Sequence, residues 1–260
     1  MKLVFIRHGD PDYVNDTLTE KGRREAQLLA NIIDKYGIDE IYQSPLGRAK
    51  DTAAYCVEKL GLPVTTLDWL QEFPGQVNAN VSEDVRKAYA TELTKDSVTG
   101  EYNNRIMWDM LPSYYGLHPE LFDVNEWKKS PLFEGGNALE VYEHVIECFD
   151  KFLADNGYVR DGLTYKVENG NDKTIAFFCH YGITSVLLSR LWNVSPFVPL
   201  QFTALAPTSV TLVASEERQK GIGIFRTLRV GDISHLMIGD EEPSFSARFC
   251  ERFENEDERH

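Results

Sequence analysis

Two histidines stand where apolar runs end: Arg7-His8-Gly9 closes the run Lys2 to Ile6, and His180 closes the run Thr174 to Cys179. Glu72 follows a third run, Val64 to Leu70, and Arg48 sits just after Ser44-Pro45, a helix-start signature. Any one of these is most simply a structural hydrogen-bonding residue. Together they are the residue types of phosphoryl transfer: imidazole as nucleophile or charge stabiliser, guanidinium for equatorial oxygens, and a carboxyl group for the leaving group.

The elements that would position them are legible. Lys2 to Ile6 has the look of a buried parallel strand running into a functional loop. Thr19 can cap a helix reaching about Lys35, with Ala26, Leu29, Ala30 and Ile33 along one face. Ile41 and Tyr42 form a second strand, Val64 to Leu70 a third and Thr174 to Cys179 a central one, the last followed by a helix from Ile183 to Trp192. Leu139, Tyr142, Val145, Ile146, Phe149 and Leu153 mark a long amphipathic helix. Gly157 to Asn171 reads as a loop, Val210 to Ala214 and Ile222 to Leu228 as late strands, and the acidic tail after Asp240 as mobile. Alternating strands and helices predict a three-layer α/β/α sandwich with a mostly parallel central sheet, whose ligands sit beyond the carboxyl ends of the strands. Residues from about 74 to 133 break the alternation and are rich in Tyr, Trp, Asn and Pro. They read as a cap-like insertion in one domain spanning 1–260, where Arg105, Trp108, Tyr114, Tyr115, His118 and Trp127 either pack the cap or line a substrate cavity.

Five ordered segments carry a resemblance: VFIRHGD, LTEKGRREA, IYQSPLGRAKDTA, LQEFPG and FFCHYGITSVLL. The chain resembles the histidine phosphatase superfamily, which joins phosphoglycerate mutases with broad-specificity phosphatases. The resemblance covers the first third and a later stretch, and leaves the insertion unmatched. It implies a phosphoglycerate mutase-like fold and a metal-independent hydrolase without cofactors. In that scheme His8 attacks phosphorus, Arg7, Arg48 and His180 hold its oxygens, and Glu72 protonates the leaving alkoxide, then activates water. The chemistry is sound, since a covalent phosphohistidine splits one difficult hydrolysis into two easier transfers.

After Gly9 the chain departs from the pattern. Many members continue with an acidic residue, Ser or Thr, and Trp-Asn, whereas here Asp10-Pro11-Asp12-Tyr13-Val14-Asn15 follows. Pro11 has neither hydroxyl nor backbone donor, so Asn15 is the candidate for the missing phosphate contact. Gly135-Gly136-Asn137 likewise replaces the usual Gly-Glu-Ser. No basic insertion of the mutase kind is present, which favours hydrolysis over mutase-type phosphoryl transfer. An aspartyl-nucleophile phosphatase would need Asp directly after the strand, but Arg7-His8-Gly9 intervenes. No cysteine has an arginine six residues on, and no P-loop occurs. The remaining rival is a weakly catalytic phospholigand-binding regulatory protein.

Net charge is -14 with 42% hydrophobic residues. That charge opposes binding to nucleic acid or an anionic membrane, yet a few arginines in a cleft still suffice for a small phosphorylated metabolite or, as a larger alternative, a phosphoprotein. Cys56, Cys148, Cys179 and Cys250 are scattered without a C-x-x-C pair, and no signal-like or bilayer-spanning run is present. A cytoplasmic location is expected.

Overall fold

A computed structural model describes residues 1–89, 93–246 and 252–255. Cys250 and most of the tail beyond Ser246 lie outside the described residues. The chain divides into two compact units, one made of Met1–Glu72, Asp150–Thr184 and Ala204–His260, the other of Phe73–Phe149 and Ser185–Thr203.

The first unit is built on eight strands: β1 (Lys2–Arg7), β2 (Glu40–Gln43), β3 (Val64–Thr66), β4 (Tyr158–Asp161), β5 (Thr164–Val167), β6 (Thr174–Cys179), β7 (Val210–Gln219) and β8 (Ile222–Asp232). Their order in the sheet is β3-β2-β6-β1-β7-β8-β5-β4. The sheet is parallel from β3 to β1 and antiparallel beyond. Leu3 to Arg7 and all of β6 are buried, as parallel strands covered on both faces must be. Strand alternation sends Val4, Ile6, Ala176 and Phe178 to one face, where they meet Leu29, Ala30, Ala53 and Cys56 from α1 (Glu20–Ile32) and α2 (Gly47–Leu60). Phe5 and Phe177 point the other way, with Phe177 packed against Phe152 at the end of α3 (Ala138–Asp155). Helices therefore cover both faces, and the fold is a three-layer α/β arrangement with a parallel core.

Several element boundaries differ from expectation. Within the expected loop from Gly157 to Asn171, residues 158–161 and 164–167 form strands, and 168–171 remain without strand or helix. Asp161 pairs with Thr164 across a two-residue turn whose Gly162 has φ +60°, so β4 and β5 form a hairpin at the sheet edge. The run from Val64 leaves the sheet at Thr66 and tightens into a 3-10 turn, Asp68–Leu70, that buries Leu70. The segment after Asp240 is held in place as far as Ser246, because Glu241 pairs with Lys21 and Arg24, and Ser244 is buried.

The second unit is largely aromatic. Trp127 is 1% exposed, with ring centroids 4.8 Å from Tyr142 and 5.5 Å from Phe133. Tyr114 is also buried and stacks on His118. Trp127 and Tyr114 thus pack the unit's own core, whereas Trp108 and Tyr115 are only half-buried. A two-strand ribbon joins Gln76–Val77 to Arg105–Ile106. Among the described residues no helix is long and apolar enough to cross a membrane.

Candidate active site

Register brings the site together. β1 and β6 are parallel neighbours with Arg7 opposite Cys179, so His8 and His180 leave the sheet side by side at the carboxyl ends. β2 lies on the other side of β6, and Ser44 follows Gln43 there. The rings of His8 and His180 are 5.0 Å apart between centroids, and both residues are at most 1% exposed. Gly9 then passes against α1 so closely that a Cβ on it would lie 2.7 Å from the Gly22 carbonyl oxygen, and one on Gly22 2.2 Å from that of Asp10. Both glycines are required by this approach.

His8 Nδ1 lies 2.7 Å from the Gly9 carbonyl, which can only accept. Nδ1 must carry the proton, and Nε2 keeps its lone pair. Burial first, then the charge of Arg7 and the neighbouring His180, hold the His8 pKa well below 6.5, so the imidazole is neutral. His180 is likewise held well below 6.5 by burial, Arg48 and Arg7. Its Nε2 is 2.7 Å from Ser44 Oγ, which itself accepts from the Leu46 N–H. With the Ser44 proton given to Nε2, His180 presents Nδ1–H, which is buried and has no partner.

Arg7, 2% exposed, donates from Nη1 to the carbonyls of Leu205 and Ser246 and from Nη2 to Ser246 Oγ. Burial lowers its pKa, against the raising influence of Tyr13, Glu72 and Glu25. Arg48, in the first turn of α2, donates from Nη1 to Asp16 Oδ1 at 2.7 Å, and Asp16 Oδ2 accepts from the Gly47 N–H. The Nε atoms of both arginines are buried without partners, as is His180 Nδ1. Glu72 is half-buried, and its Oε1 accepts from the Ile183 N–H at 3.2 Å, in the first turn of α4 (Tyr181–Trp192). The competing acid Asp68 is exposed.

Asn15 is not brought to the site. It is exposed, and both its side-chain amide and its backbone N–H donate to Asp12, because the turn 12–15 closes on that carboxylate. The next residue, Asp16, held at φ +48°, is the one that reaches Arg48. Sequence reasoning also passed over Ser44, taken as a helix cap although α2 begins at Gly47 with Leu46 as its cap residue. Tyr13 was missed as well; its ring lies 5.4 Å from Arg48 Cζ. Among the described residues no group of three or more His, Cys, Asp or Glu side chains could hold a metal ion.

Two imidazoles and two arginines stand at the carboxyl ends of a parallel sheet whose fold is phosphoglycerate mutase-like. The model of the histidine phosphatase superfamily, branch 1, matches residues 3–104 of this chain. Among similar proteins, phosphoserine phosphatase 1 of Hydrogenobacter thermophilus is 28% identical over 105 residues, 36% of this chain and 50% of that protein. The chain thus spans about half the length of this relative. The 2,3-bisphosphoglycerate-dependent phosphoglycerate mutase of Thermoplasma acidophilum is 26% identical over 185 residues, 67% of this chain and 80% of that protein. In structure, a phosphoserine phosphatase mutant from Entamoeba histolytica, solved with phosphoserine, superposes with a TM-score of 0.56 at 18% identity, covering 90% of this chain and 98% of that one. At that identity the likeness is one of fold.

Proposed function

We propose that the protein hydrolyses a small phosphate monoester through a covalent phosphohistidine on His8, with Glu72 as general acid and base. One observation carries this reading: Arg7 Nε, Arg48 Nε and His180 Nδ1 are all buried without partners around a histidine whose Nε2 lone pair is free. Buried donors are nearly always satisfied, so three orphans at one place call for an anion that brings its own acceptors. In-line attack by Nε2 breaks the P–O ester bond, the alkoxide takes the Glu72 proton, and Glu72 then accepts a proton from the water that releases phosphate. The substrates suited to the site are small phosphorylated metabolites of the kind the relatives' names indicate, phosphoserine or a phosphoglycerate, with a phosphoprotein as the larger alternative. The reading keeps one domain with an insertion at about 74–133, a cytoplasmic setting, and no metal or cofactor.

A labelled monoester, quenched in alkaline denaturant, should leave label on the peptide holding Arg7 and His8, since phosphohistidine survives alkali and an aspartyl phosphate does not. His8→Ala should abolish label and turnover, whereas His180→Ala should slow turnover yet still trap label. Label on His180 instead would reverse the two roles. The match to a mutase over 67% of the chain favours phosphoryl transfer as the second reading. In that case label passes from the histidine to a phosphoglycerate acceptor rather than to water. A regulatory phospholigand binder would bind phosphate and release none from a monoester.

A further inference from the structure

We infer that the segment 241–246 is a positioning element of the phosphate site, with Ser246 holding the Arg7 guanidinium in the orientation that leaves one two-donor edge open; the inference rests on the phosphatase reading above. A guanidinium has five N–H donors. Ser246 clasps the edge between Nη1 and Nη2, its carbonyl 2.9 Å from the first and its Oγ 3.0 Å from the second. The Leu205 carbonyl takes the outer Nη1–H at 2.6 Å. What Ser246 and Leu205 leave is Nε–H, buried without a partner, and by the geometry of the fork the outer Nη2–H beside it. These two bonds run parallel, the pair that grips two oxygens of one phosphate. The Tyr13 side chain also hydrogen-bonds this guanidinium, and at 56% exposed it can give way to a ligand.

The clasp is neutral. Two carbonyls and a hydroxyl orient the guanidinium without cancelling its charge, whereas an acidic side chain at 246 would compete with the phosphate itself. The segment is also anchored to the loop that follows His8. Ser244 N–H donates to Glu25 Oε1 at 3.2 Å, Asp10 N–H donates to Glu25 Oε2 at 2.8 Å, and Ser244 Oγ bonds the Asp10 carboxylate. Glu25 is 0% exposed, so these two backbone N–H groups are joined through one buried carboxyl. Glu241, paired with Lys21 and Arg24, fastens the segment to α1. Loop, helix and segment therefore form one frame around Arg7.

Because Arg7 meets the phosphoryl group in both ground and transition states, loosening the clasp acts on KM more than on kcat. In the full-length protein, Ser246→Ala should raise KM for a monoester and the inhibition constant of inorganic phosphate about threefold, and Ser244→Ala with Ser246→Ala about tenfold, while kcat stays within about threefold. Ser246→Thr, which keeps the hydroxyl, should restore both constants. By reciprocity, inorganic phosphate should slow amide hydrogen exchange in residues 241–246 of the wild type, a readout that needs no turnover. Unchanged KM with lowered melting temperature, or exchange in 241–246 indifferent to saturating phosphate, would leave the segment a merely structural tail and overturn the inference. A wild type that binds no phosphate overturns the phosphatase reading together with it; one that binds and turns over while both serine variants keep their KM overturns the inference alone.

Discussion

His8 and His180 are the same residue type in two different hydrogen-bond settings. The Gly9 carbonyl can only accept, so His8 keeps its Nε2 lone pair; Ser44 Oγ lies 2.7 Å from His180 Nε2, and when it donates there His180 carries its proton on Nδ1. The positions of Arg7, His8 and His180 were legible because they close the buried strands β1 and β6, whose apolar runs are plain. The partners that fix their tautomers and orientations were not. Ser44 sits in a Ser-Pro pair that is the standard start of a helix, and only the pairing of β2 with β6 shows its hydroxyl aimed at the second histidine. Asn15 misled for a related reason: turn geometry, which depends on the Asp12 carboxylate, decides which of two adjacent polar residues faces inward. Ser44→Ala should free His180 to adopt either tautomer and to rotate. Losing one preorganised donor typically costs about 10²-fold in kcat, and a mispointed donor should approach that figure. Single-turnover kinetics with the alkaline quench would read it: His8 still takes label, but more slowly. An unchanged rate of labelling would mean that Ser44 does not orient His180.

Element by element, the parallel core was recoverable and its margins were not. β1 and β6 are continuous apolar runs, buried on both faces, that announce themselves in the sequence. The edge hairpin β4–β5 buries only Tyr158 and Tyr165 fully, and its polar alternation imitates a loop, although Asp161-Gly162 carries a turn signal that could have revealed it. The segment up to Ser246 escaped notice because local composition cannot report contacts with residues more than two hundred positions earlier. Where elements meet at the site, the tolerance is small. The start of α1 lies against the loop carrying His8 at Gly22, where a methyl group would sit 2.2 Å from the Asp10 carbonyl oxygen. Backbone cannot give way as a flexible side chain would, so Gly22→Ala should cost at least about 1–3 kcal/mol in urea unfolding. It should also push the Asp10 backbone out of reach of Glu25 and lower the labelling of His8 in whatever fraction stays folded. Wild-type stability for this variant would place the glycine's value elsewhere.

For the molecule as a whole, the burial that prepares the site makes the fold sensitive to acid. His8 and His180 are held well below the ordinary histidine value, and His235, buried against Thr208, is lowered to about 4, in each case mainly by desolvation. A histidine of depressed pKa stays neutral in the native state but takes up a proton once unfolded, so its contribution to stability is present above about pH 6.5 and is lost as the pH falls below it. Glu25 acts in the opposite sense. Burial raises its pKa from 4.5 to about 7, so between those values the native protein keeps a proton that the unfolded chain releases, and stability falls as the pH rises. Three imidazoles against one carboxyl leave a net uptake of protons on unfolding near pH 5, so stability falls as the pH falls toward it. Urea unfolding at pH 7, 6 and 5 should show the midpoint dropping at each step. The slope separates the contributions even where a substitution also changes stability at every pH. His8→Ala should make it shallower, and Glu25→Gln should make it steeper, because the second variant removes a group that opposes it. A slope in His8→Ala unchanged from the wild type would mean that His8 is charged in the native protein, and a charged imidazole has no lone pair on Nε2 with which to attack phosphorus.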